Sequence, residues 1–156
     1  MSELRRKFLK ASANALILPW IGTGLLIPRS VLAAEWRRKA FEAGNIDEAL
    51  TASNNEQAVE TNDITINAPD IAENGARVEI EILSKIPGTR SLAIFADHNP
   101  TPLNAILTFS GLALPYAKVQ LKLAEDTRLR IVATTTDNKR YVAYRDIGVI
   151  VGGCGI

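Results

Sequence analysis

Beyond residue 57 hydrophobic and polar residues alternate with a period of two, most plainly in Arg77-Val78-Glu79-Ile80-Glu81-Ile82. In a strand this puts the valine and isoleucines on one face and the arginine and glutamates on the other. Lys118-Val119-Gln120-Leu121-Lys122-Leu123 repeats the pattern, and further strands are predicted at Asp63 to Asn67, Ser91 to Ala96, Ala105 to Phe109, Arg128 to Thr135 and Arg140 to Val151. Turn residues separate them: Pro69, Asn74-Gly75, Pro87-Gly88, Asn99-Pro100-Thr101-Pro102, Gly111 and Pro115. Asp137-Asn138 is predicted to fill the two positive-φ positions of a tight hairpin. Seven short strands in this rhythm predict a mainly β fold, an immunoglobulin-like antiparallel β-sandwich, whose strand order periodicity leaves open.

Helical signals precede the strands. Between Ala34 and Leu50, Trp36, Ala40 and Phe41 are spaced for one helical face. Asn45 can cap a second turn, with Glu48 three residues on, the spacing of a reciprocal cap. The polar run Thr51 to Gln57 reads as a linker, so residues 34–61 are expected to form a short helical segment and linker ahead of a sandwich at 62–151. Residues 1–33 have a different character. A charged start with the pair Arg5-Arg6, then Lys7-Phe8-Leu9-Lys10, leads into an apolar stretch interrupted by Pro19, Gly22, Gly24 and Pro28, too broken for a span of roughly 20 apolar residues. Paired arginines before such a stretch, with Val31-Leu32-Ala33 offering a cleavage site, predict a twin-arginine (Tat) signal and a periplasmic mature protein with no stable membrane span.

Charge changes the picture once the leader is set apart. Five of the 18 basic residues and one of the 17 acidic ones lie in it, leaving a mildly acidic domain without a basic stripe. That balance excludes the electrostatic footprint of a nucleic-acid binder. The single cysteine excludes an internal disulfide, so in an oxidising compartment it predicts either a bond to another chain or a thiol kept for chemistry.

Cys154 is the candidate for that chemistry. It stands in the tail Gly152-Gly153-Cys154-Gly155-Ile156, where two consecutive glycines remove the side chains that would anchor the segment. Five residues can extend about 17 Å, far enough to enter another protein's cleft. Nothing in the tail supplies the cation, helix terminus or histidine that activates a catalytic thiol. His98, before Asn99-Pro100, reads as a solvated loop histidine, and one histidine with one cysteine makes no metal set. Asp97/Glu81 and Glu125/Asp126 have no spacing of a general acid and base and read as solvated edges or turns, and no GxxxxGK phosphate loop is present. An unactivated thiol on a glycine arm fits carriage, in which an intermediate stays on one sulfur while separate enzymes work on it. A thiol-dependent periplasmic redox enzyme and a structural sandwich subunit are the competing readings.

Together the twin-arginine leader, the helical start, Asp63-Ile64-Thr65-Ile66-Asn67-Ala68-Pro69-Asp70-Ile71-Ala72-Glu73-Asn74-Gly75-Ala76, the turn Asn99-Pro100-Thr101-Pro102-Leu103 and the Gly152-Gly153-Cys154-Gly155 (GGCG) tail resemble the SoxY family of the bacterial thiosulfate-oxidation (Sox) system. The resemblance implies an immunoglobulin-like domain that forms a heterodimer with a second small β-sandwich subunit, SoxZ. It implies that a haem-containing enzyme joins thiosulfate to Cys154, that a hydrolase releases sulfate, and that a sulfur dehydrogenase acts on the sulfur left behind. The chain itself would be a carrier without turnover or cofactor of its own. One residue departs from the family pattern: the tail usually closes with a second glycine, where this chain has Ile156.

Overall fold

The computed structural model describes residues 38–150. The leader with Arg5 and Arg6, Trp36, and the tail with Gly152, Gly153, Cys154 and Gly155 lie outside the described residues. Within them, residues 38–42 are helical and are followed by helix α1 (Ile46–Ala52). Nine strands come next: β1 (Val59–Glu60), β2 (Ile64–Asn67), β3 (Ile71–Ala72), β4 (Val78–Ser84), β5 (Thr89–Ala96), β6 (Leu103–Thr108), β7 (Tyr116–Leu121), β8 (Thr127–Thr135) and β9 (Arg140–Val149). They form two sheets, one ordered β1-β9-β8-β5-β6 with β3 also paired to β9, the other β2-β4-β7. The fold is thus mainly β, an immunoglobulin-like sandwich with a short helical start. The seven longer strands pair antiparallel, whereas the two-residue β1 and β3 pair with β9 in parallel.

Alternation decides which residues fill the sandwich. Val78, Ile80 and Ile82 of β4 point inward against Leu92, Ile94 and Ala96 of β5 and Leu129, Ile131 and Ala133 of β8, all buried. The intervening Glu79 and Glu81 face outward, where both meet Lys118 Nζ across the β4–β7 ladder at 2.7 and 3.2 Å. These exposed pairs raise the Lys118 pKa but add little to stability.

β5 breaks the simple rule, because its run Leu92-Ala93-Ile94-Phe95-Ala96 is buried on both faces. Ala93 and Phe95 turn away from the sandwich and pack with Val132, Val142 and Leu103 against Ala40, Ala43, Ala49 and Leu50. The helical segment is therefore a third layer on the outer face of the larger sheet. Ala40 is buried within residues 38–42 and Ala43 is buried just after them, while Phe41, expected beside Ala40, is exposed.

Local signals are realised with some corrections. Asn45 is the N-cap of α1 and its side chain accepts from the Glu48 amide at 2.9 Å. Glu48 returns to the Gly44 amide at 3.3 Å, one residue before the expected partner. The expected linker from Thr51 is helical to Ala52, contains the buried Asn55, and gives way to the sheet at Val59. The β8–β9 turn is a three-residue loop: Asn138 donates to the Thr135 carbonyl and Thr135 to that of Lys139. Within this loop Asn138 alone has positive φ, at 62°, so one left-handed residue after an ordinary turn replaces the expected left-handed pair.

Candidate functional site

β9 is the strand that leads towards Cys154, and its end is where the site can be built from described residues. The β8–β9 ladder stops at Thr127 and Ile147. From there β3 takes over one side, pairing Ile71 with Gly148 and Ala72 with Val149. The Gly148 amide donates to the Asp70 carbonyl and the Ile150 amide to that of Ala72, both at 2.9 Å. On the opposite side the Val149 amide donates to Asp126 Oδ1 at 2.6 Å.

The neighbouring segments are held by two short motifs. Leu123 donates its amide to the Gly75 carbonyl at 2.7 Å, and Asn74 Oδ1 accepts from the Ala76 amide, which closes the turn into β4. Gly75 is required by close approach: a Cβ there would lie 2.5 Å from the Leu123 carbonyl oxygen and 2.7 Å from Val149 Cγ1. Asn99, buried in the β5–β6 turn, donates to the Lys122 carbonyl at 2.8 Å and accepts from the Ala124 amide at 3.0 Å. Asp63 to Ala76 and Asn99 to Leu103, the internal segments that carry the family resemblance, thus converge on residues 122–124 beside the end of β9.

A recess of about 480 Å³ opens next to this strand end, lined among others by Asp70, Asp97, His98, Asp126, Arg128 and Asp146. Its carboxylates are already engaged. Asp97 pairs with Arg130 at 2.9 Å with both side chains largely covered, so it is not the solvated turn residue expected from the sequence. Asp146 pairs with Arg128 at 2.7 Å, and Asp70 with Arg145. The hydrogen bond from Arg128 holds the Asp146 carboxyl below its ordinary value. Arg128 and Arg130 lie over the Tyr144 ring, 5.7 and 5.3 Å from its centre. His98 is exposed and its Nδ1 donates to the Asp126 carbonyl at 2.7 Å, which ties the histidine to the turn. Glu81 lies on β4, paired with Lys118 of β7, in the other sheet from β5, which Asp97 directly follows. Among the described residues no group of three or more histidine, cysteine or carboxylate side chains is placed to hold a metal, and no helix is long and apolar enough to cross a membrane.

Fold and site together define a small β-sandwich whose last strand is fastened on both sides just before the cysteine-bearing tail. The chain belongs to the SoxY family: the family model described as sulfur oxidation protein SoxY matches residues 49–154, a stretch that runs through Cys154. It is similar to the solved structure of the sulfur carrier protein SoxY from Chlorobium limicola f thiosulfatophilum, at 30% identity over 67% of this chain and 96% of that one, with a TM-score of 0.60. A variant of the superoxide reductase (neelaredoxin) from Ignicoccus hospitalis aligns at 18% identity over 68% of this chain and 93% of its own, with a TM-score of 0.51, and shares the fold alone. No curated protein matches the chain.

Asp126 enters the sequence reading only as half of the acidic pair Glu125/Asp126 at a solvated edge or turn, and nothing in that pair points to the Val149 amide from which its side chain accepts. That amide lies 23 positions further on.

Proposed function

We propose that the chain is a sulfur carrier of thiosulfate oxidation that holds its intermediates covalently on Cys154. The observation that carries this reading is the family match extending through Cys154, and the 30% identical structure named a sulfur carrier supports it. In the loading step the Cys154 thiolate and the outer sulfur of thiosulfate form an S–S bond, and the two electrons released pass to a haem-containing partner. Water then attacks the terminal sulfonate sulfur in a hydrolase. Sulfate and two protons leave, and the bonding pair stays with the carrier as a persulfide on Cys154, the substrate for a sulfur dehydrogenase. None of these steps asks Cys154 for more than a bond to sulfur, which suits a thiol with no activating group beside it in the sequence.

The small neighbours Gly152, Gly153 and Gly155 fit a segment that enters narrow clefts, while a β-branched Ile156 adds bulk at its tip. In this reading the protein works in the periplasm after export by the twin-arginine route, as a heterodimer with a SoxZ-like β-sandwich subunit that covers sheet edges. Supplying radiolabelled thiosulfate to cells that carry the wild-type chain or Cys154→Ser tests the attachment. Label is expected on the wild type alone, with an unchanged thermal midpoint showing that the Cys154→Ser chain still folds. Label retained by the Cys154→Ser chain would place the sulfur elsewhere.

A further inference from the structure

We infer that Asp126 is a positioning residue for the cysteine-bearing segment: its carboxylate and β3 clamp the end of β9 from opposite sides, so that Cys154 is presented from a fixed root. The inference rests on the carrier reading of Cys154 and adds to it a residue that fixes the strand end from which the cysteine-bearing segment departs.

Successive amides of a strand point to alternate sides. Gly148 and Ile150 spend theirs on the carbonyls of Asp70 and Ala72, which leaves the Val149 amide facing the side where β8 has already ended. Asp126 is the residue immediately before β8, and its side chain supplies the acceptor that the absent strand would have provided, at 2.6 Å. A hydrogen bond from an amide to a carboxylate is shorter and stronger than one between neutral groups. The turn that carries Asp126 is itself tied down. His98 Nδ1 donates to the Asp126 carbonyl at 2.7 Å, and the His98 amide donates to Thr127 Oγ1 at 3.0 Å.

Three consecutive amides, those of Gly148, Val149 and Ile150, therefore each have an acceptor right up to the glycine-rich tail. Cys154 is four residues beyond Ile150, a reach of roughly 13 Å. A tether with a fixed origin delivers its tip to a partner site at a higher effective concentration than a longer one that starts from a frayed strand. Removing the Asp126 carboxylate lengthens the tether without touching the thiol.

The experiment compares wild type, Asp126→Ala and Asp126→Asn, the last of which keeps an acceptor oxygen. Amide hydrogen exchange at Val149 and Ile150, iodoacetamide labelling of Cys154, and loading from thiosulfate in an extract of thiosulfate-oxidising cells are read on each chain. In Asp126→Ala, exchange at these amides is expected to rise about tenfold, the scale of a lost hydrogen bond to a charged acceptor. Loading is expected to fall several-fold at unchanged alkylation, and Asp126→Asn to recover most of it. Unchanged exchange in Asp126→Ala overturns the clamp, and faster exchange with normal loading overturns the positioning role. A wild-type chain that never loads Cys154 defeats the carrier reading and the positioning role with it, whereas the exchange result still reports on the clamp.

Discussion

Asp137 sits in the loop that joins β8 to β9, where the Thr135 hydroxyl donates to its carboxylate and the Lys139 ammonium lies 2.9 Å away. Those two contacts, the hydroxyl first, hold its carboxyl at about 2, below the usual 3.8. Because the folded value is depressed, the group's contribution to stability is complete above about 3.8 and is lost as pH falls towards about 2. An NMR titration is expected to find the depressed midpoint in the wild type and a higher one in Thr135→Val; a wild-type midpoint near the usual value would contradict the contact. Residue-level features were legible where partners are close in sequence, as with the Asn45 cap and its Glu48 amide. Contacts made through folding were not. Asp97 and Arg130 are 33 positions apart and Asp126 and Val149 are 23 apart, and nothing local in either pair announces the other.

Among the elements, the long strands were readable because a half-buried surface imposes alternation on seven or more residues, as in β4. β1 and β3 have two residues each, too few to show any period, and they are held by parallel pairing to β9 from distant parts of the chain. β5 shows the opposite case. Its unbroken apolar run is what burial on both faces requires, and the helical layer over Ala93 and Phe95 is the physical reason for it. Phe95→Ala is therefore expected to cost about 3–5 kcal/mol, measured by urea denaturation, as a large aromatic lost from a closed interior. A loss below about 1 kcal/mol would mean that the helical layer does not seal that face.

For the molecule as a whole, the mainly β fold class was legible, and the family resemblance rested in part on segments that the structure brings together around residues 122–124. The sequence could not show that Asp70, Ala72 and Asp126 hold the end of β9 beside this meeting point, because they come to it from separate parts of the chain. The proposed delivery to the periplasm rests on the leader: replacing Arg5 and Arg6 together by lysine is expected to leave the protein in the cytoplasm, since the twin-arginine route reads the pair. Normal export of that variant, followed by cell fractionation, would contradict the route. The carrier reading itself is tested most directly by intact-mass and peptide mass spectrometry of the native chain taken from cells that are oxidising thiosulfate. Sulfur or thiosulfonate adducts confined to Cys154 are the predicted result, and an unmodified Cys154 thiol throughout active oxidation would contradict it.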